Sequence, residues 1–152
     1  MTFSFRLPAD TLVDLTEDGD GRLVGTIGEV RKVASGCVAL MVEDNIVLAM
    51  DMVESLTRLG AKTVETAGSV EEALRWIAKT PFDFAVLDMN LRGTVSFDVA
   101  ERLQEANTPF VFVTGYGATM DIPPSLTDIA ILTKPIDEGT LAASLGDLLK
   151  DS

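Results

Sequence analysis

Three carboxylates, a hydroxyl and an amine each follow closely on a short apolar run in this chain. Glu43 and Asp44 come after the run 38–42, Asp88 after 82–87, Thr114 after 109–113, and Lys134 shortly after 129–132. These residue types suit phosphoryl transfer, in which charge on the phosphoryl oxygens must be stabilised from several sides. Asp88 would be the nucleophile and form an acyl phosphate. Lys134, Thr114 and a backbone amide near Met89 or Asn90 would hold the phosphoryl oxygens. Converging carboxylates repel one another, and the chain has no histidine. A hard cation with oxygen ligands, Mg²⁺ or Mn²⁺ rather than zinc, is the natural neutraliser. Singly, each residue has a plainer reading. A strand-end Asp is commonly a solvated cap, an acidic pair before a helix complements its dipole, Lys134 is a surface charge, Thr114 a turn residue and Tyr116 a partly buried aromatic. Their order at four strand ends makes the joint pattern specific.

For these groups to meet, the apolar runs must be buried strands whose polar ends share one edge, the edge at which open α/β sheets bind ligands. Between the runs lie segments with helical spacing. Ile46, Leu48, Ala49, Met52, Val53, Leu56 and Leu59 form one stripe, ended by Gly60. Val70, Ala73, Leu74, Ile77 and Ala78 form another, with Ser69 and Glu72 as a capping box. Val99, Ala100 and Leu103 belong to a third helix over 97–106 with Ser96 as its cap. A last helix runs over 141–149, with Lys150 suited to its C-terminal end. A more polar strand is expected at 63–66, as befits a sheet edge. Five strands with connections long enough for crossovers predict an α/β, doubly wound parallel sheet. The exception is 114–128, where two glycines and Pro123-Pro124 leave room for one helical turn at most. A loop of that length in a compact domain is commonly functional.

A chain of 152 residues with 47% hydrophobic side chains allows one ordinary domain and an appendage. The net charge of −12 and the absence of a basic cluster argue against direct nucleic-acid binding. The lone Cys37 permits no internal disulfide and is expected as a small buried hydrophobe. Lack of histidine excludes imidazole-based triads, His metal sites and a histidine phosphodonor role. No apolar run reaches membrane-spanning length and no signal segment opens the chain, so a soluble, cytoplasmic location without membrane contact is expected.

Residues 1–36 read as a β-rich extension or linker, and 37–152 as the main domain. Strands are expected at 2–7, 12–15 and 23–30. The acidic stretch Glu17-Asp18-Gly19-Asp20-Gly21 invites a calcium-loop reading. Aligning Gly21 with the glycine of such a loop, however, puts Thr16 first and Ile27 last, where acidic ligands belong. An Asp-Gly hairpin turn fits better.

The pieces VALMVEDN, FDFAVLDMNL, FVFVTGYG and ILTKP resemble the receiver domain of two-component response regulators, over about three quarters of the chain. The resemblance implies a flavodoxin-like strand order 2-1-3-4-5 and an Asp88 that accepts phosphate from a histidine kinase or histidine phosphotransfer protein. It implies that Glu43, Asp44, Asp88 and the main-chain carbonyl of Asn90 hold Mg²⁺, that Thr114 and Lys134 are switch residues, and that Lys134-Pro135 is cis. Such a domain catalyses its own phosphorylation and dephosphorylation, and its output is contact with a downstream protein. Ile131 stands where most receivers carry an aromatic switch residue. The segment PFVFVTGYG is similar to the PFxFATGYG signature of the FAT GUY receivers, in which the fourth helix is reduced or replaced by a loop, and Tyr116 then becomes the aromatic reporter. TFSFRLPAD is similar to the last strand of the ATP-binding domain of sensor histidine kinases, as in a hybrid kinase. A strand that pairs with the receiver's edge or with a second copy, giving a homodimer, is the other reading. Two further classes remain open: a Mg²⁺-dependent phosphohydrolase using Asp88 on an external substrate, and a receiver-shaped interaction module that needs no phosphate.

Overall fold

The computed structural model describes residues 2–7, 11–17, 23–26, 32–115 and 121–150. Tyr116 and the Asp-Gly turn expected at 18–21 lie outside them, as does most of the segment considered as a calcium loop. The first three strands, β1 (Thr2–Leu7), β2 (Thr11–Glu17) and β3 (Leu23–Thr26), form an antiparallel meander in the order β1-β2-β3.

From residue 38 onward strands and helices alternate. The strands β4 (Val38–Val42), β5 (Thr63–Ala67), β6 (Phe84–Asp88), β9 (Phe110–Thr114) and β10 (Ile131–Thr133) form one parallel sheet, in the order β5-β4-β6-β9-β10. Numbered within this sheet, that is the expected 2-1-3-4-5. A small hairpin, β7 (Asn90–Leu91) with β8 (Thr94–Val95), follows β6. Among the described residues four helices cover the sheet: α1 (Ile46–Arg58), α2 (Val70–Lys79), α3 (Phe97–Glu105) and α4 (Glu138–Leu149).

The central strands are buried on both faces, so alternate side chains feed two separate cores. Leu40, Val42, Ala85, Leu87, Phe110 and Phe112 point toward α2 and α3. Ala39, Met41, Phe84, Val86, Val111 and Val113 point toward α1 and α4. Phe112 sits edge-on to both Phe97 and Phe110, with ring centroids 6.2 and 5.4 Å away, a geometry that adds to simple burial. Cys37 is only partly buried, against the second core. It lies just before β4, at the sheet's amino edge.

Three sequence expectations need correction in detail. In α1, Ile46 and Leu48 are exposed, and Ala49 and Leu56 carry the burial. The first turn stands at the carboxyl edge, beyond the end of β4, so helical spacing there reports no core face. In α2, Trp76 packs on the core while Ala78 faces out. Ser69 caps α2 by accepting from the Glu72 amide at 3.2 Å, but the Glu72 carboxylate reaches back to the amide of Gly68, one residue beyond a standard capping box.

Ser96 makes no side-chain cap at the start of α3. It is fully buried and its hydroxyl donates to the Asp88 carbonyl at 2.6 Å, while its amide donates to the Met89 carbonyl at 3.0 Å. Burial decides this, because a hydroxyl removed from water must take the nearest acceptor. Ser96→Ala leaves that carbonyl without its hydroxyl partner and is expected to cost about 1–2 kcal/mol, read as a lower urea midpoint at unchanged slope.

Between β9 and β10, the described residues contain one short 3₁₀ turn, Pro124–Leu126, and no α-helix. Leu126 is fully buried in the first core and the Ser125 carbonyl accepts from the Gln104 side chain of α3 at 2.9 Å. The far end of the loop is therefore fastened to the body of the sheet.

Candidate functional site

The strand register brings the polar ends together. Val42 pairs with Leu87, Asp88 with Val113, and Thr133 with Thr114. Residues at or just past these positions therefore share the carboxyl edge. The Lys134 amide donates to the Thr114 carbonyl at 2.8 Å, and the Lys134-Pro135 bond that follows is cis.

Glu43 and Asp88 are each only 4% exposed. The Lys134 ammonium lies between them, 2.7 Å from Glu43 Oε2 and 2.9 Å from Asp88 Oδ2. Asp88 Oδ1 accepts from the Asn90 amide at 3.1 Å, a local turn of the kind Asp side chains favour. Both carboxylate oxygens of Asp88 are thus held by separate donors, and Ser96 holds its main-chain carbonyl. Glu43 Oε1 accepts from the Asn45 amide at 3.1 Å. The Asn45 side chain in turn caps α1 by accepting from the Val47 and Leu48 amides, so one short loop starts the helix and orients the buried acid.

Asp44 completes an acidic group in which one oxygen each from Glu43, Asp44 and Asp88 lies within 4.8 Å of the others. One ammonium cannot neutralise three carboxylates. Burial, reinforced by Asp88 and only partly offset by Lys134, pushes Glu43 up to about 7. Burial pulls the Lys134 ammonium down, but its hydrogen bonds to Glu43 and Asp88 outweigh this and the net shift is upward. The donor set is all oxygen and short of positive charge, which fits a hard divalent cation.

Proton and cation would compete for Glu43. Below about pH 7 the acid is increasingly protonated, so Mn²⁺ affinity is expected to fall with decreasing pH, by up to about tenfold per unit. Calorimetry in two buffers of different ionisation enthalpy should also show proton release on binding near neutrality.

Thr114 is buried at the end of β9, beside this cluster. Asn90 is exposed, with its side-chain oxygen accepting from the Gly93 amide at 2.8 Å. Ile131 is half-buried against the first core. Sequence reasoning missed three contributors. Asn45 was legible as a helix cap, because a polar residue stands just before the apolar-periodic stretch. The Ser96 bond to the Asp88 carbonyl had no local signal, since it joins residues across a hairpin. Arg92, whose Nε lies 3.8 Å from Asp44 Oδ2, is placed by a turn that the sequence does not specify.

A sequence model of the response regulator receiver domain matches residues 39–146. The transcriptional regulatory protein TcrA of Mycobacterium tuberculosis is 33% identical over 131 residues, covering 84% of this chain and 49% of that protein. The response regulator protein PilR of Pseudomonas aeruginosa is 30% identical over 116 residues, 74% of this chain and 26% of that protein. The chain thus spans half or less of the length of these relatives. Among solved structures, SdrG from Sphingomonas melonis Fr1 aligns with a TM-score of 0.65 at 35% identity, covering 77% of this chain and 98% of that one. A CheY-like receiver domain from Methylobacillus flagellatus aligns at 0.66 and 27% identity, covering 75% and 99%. Among the described residues no helix is long and apolar enough to cross a membrane. Sheet order, acidic pocket and sequence similarity agree: the chain belongs to the response regulator receiver domain family of two-component signalling.

Proposed function

We propose that Asp88 accepts a phosphoryl group from a histidine kinase or histidine phosphotransfer protein and that its phosphorylation switches contact with a downstream protein. The observation that carries this reading is the anchoring of Asp88, with Oδ2 on Lys134 and Oδ1 on the Asn90 amide, at the mouth of the acidic pocket. An oxygen lone pair of Asp88 forms the new O–P bond as the P–N bond to the donor imidazole breaks. The imidazole keeps that electron pair and takes a proton from solvent. The Lys134 ammonium, the Thr114 hydroxyl and the amide beside Asp88 receive the phosphoryl oxygens. Glu43, Asp44, Asp88 and the Asn90 carbonyl would hold Mg²⁺ or Mn²⁺, which would supply charge neutralisation for the transferred group.

Exposed apolar side chains flank the mouth, with Ile46, Val47 and Met50 on the first turns of α1 and Val95 opposite Asn90 in the hairpin. Such a rim favours a protein phosphodonor over a small substrate. The PFVFVTGYG segment and the lack of an α-helix between β9 and β10 among the described residues support membership of the FAT GUY subgroup, with Thr114 and Tyr116 as reporters. The meander β1–β3 supports the division into a β-rich extension, 1–36, and a receiver unit, 37–152.

Incubation with a small phosphodonor and Mg²⁺, followed by mass spectrometry, tests the proposal. One phosphoryl group should appear, on Asp88, and chelation should prevent it. Failure to label at any donor concentration, or turnover of an external phosphomonoester without labelling, would sink it.

A further inference from the structure

The hairpin that follows Asp88 carries an unusual turn. Asn90 pairs with Val95 and Leu91 with Thr94, leaving Arg92 and Gly93 as its two-residue loop. Both have positive φ, 52° and 83°, the combination of a type I′ turn. That turn asks for Asn or Gly at its first position, because a longer L side chain is strained there. Arginine occupies it instead. Backbone strain beside a functional centre calls for a compensating role, and the side chain supplies a candidate. Its Nε lies 3.8 Å from Asp44 Oδ2, where the Arg92 side chain is 80% exposed and that of Asp44 23%. Lys134 bonds Glu43 and Asp88, and Asp44 forms an ion pair with Arg92.

We infer that Arg92 is a positioning residue that acts as an exchangeable counter-ion for Asp44: its guanidinium occupies the carboxylate in the metal-free protein and lowers the affinity of the acidic site for divalent cations. This rests on the metal-site reading above. An incoming cation must displace the guanidinium, and an ion pair this exposed gives way readily. The turn fixes the arginine over Asp44 without using a long loop.

Mn²⁺ binding to the full chain, followed by the paramagnetic resonance of the free ion, tests this. At low ionic strength Arg92→Asn is expected to tighten binding roughly two- to fivefold. Arg92→Lys, which keeps a cation, should stay near wild type. The difference should shrink in about 0.5 M KCl, where exposed charges are screened, and vanish in an Asp44→Asn background. Asn suits the left-handed position, so Arg92→Asn should melt no lower than wild type, and a merely structural turn would leave Mn²⁺ affinity unmoved. Equal or weaker binding by Arg92→Asn, with clear binding by the wild type, overturns the role of Arg92 alone. No saturable Mn²⁺ binding by the wild type overturns the metal site and this inference together.

Discussion

Replacing Asp88 with asparagine is expected to reduce phosphoryl labelling by a small phosphodonor with Mg²⁺ to background, while the fold persists. An amide oxygen lacks the charge and basicity to attack phosphorus, so the loss is chemical. Shape is preserved: the Asn oxygen can still accept from the Asn90 amide, and the main-chain bond from Ser96 is untouched. The substitution also removes one member of a crowded acidic group. Its effect on stability should therefore fall within about 1 kcal/mol of zero, or be stabilising. Matched labelling and urea-denaturation experiments separate the two effects. Wild-type labelling of Asp88→Asn would place the nucleophile elsewhere, and Glu43 or Asp44 would then be the next residues to change.

Lys134→Met is expected to damage both chemistry and stability. The ammonium that bridges Glu43 and Asp88 is removed, and two carboxylates with 2% and 6% side-chain exposure are left facing each other. Breaking a buried pair by deleting one partner costs about 3–5 kcal/mol. Here Glu43 can relieve part of that by taking a proton, so about 2–3 kcal/mol is expected near neutral pH. The sign of the pH dependence follows from Glu43. Its folded value already stands raised, at about 7 against an ordinary 4.5, and loss of Lys134 moves it further up. The folded variant then binds more protons than the unfolded chain, so it gains stability as pH falls through and below 7. Mg²⁺ should restore stability at higher pH by replacing the missing positive charge. Labelling should drop by about two orders of magnitude, because one of the groups facing the developing charge is gone. Chemical denaturation at about pH 5.5 and pH 8, with and without Mg²⁺, checks the signs. A variant as stable at the higher pH as wild type would mean that the bridge carries no net stabilisation.

The sheet and its active edge were largely legible in the sequence because they depend on local pattern. The runs at 38–42, 84–88 and 110–114 are short, apolar and end in polar residues, and a strand buried on both faces can hardly be written otherwise. Pro123-Pro124 similarly foretold that the described residues of the β9–β10 connection would hold no regular helix beyond one short turn. Helix termini were read less well. Asp137 caps α4 by accepting from the Thr140 amide at 2.7 Å. Glu138-Gly139 gave no apolar signal by which to begin that helix at 138 rather than 141.

What the sequence by itself determined was the set of candidate chemical groups and the elements that present them: carboxylates, lysine and threonine at strand ends, no imidazole, and an α/β alternation. What only the tertiary structure decided was how those charges are shared. Lys134 bridges Glu43 and Asp88 across 91 and 46 residues of chain. The Ser96 hydroxyl turns from its helix end to hold the Asp88 carbonyl, and Arg92 reaches Asp44 from a strained turn. The first two pairings are chosen by burial and by the register of neighbouring strands, the third by the conformation of an exposed turn, and none of these leaves a local periodicity in the sequence.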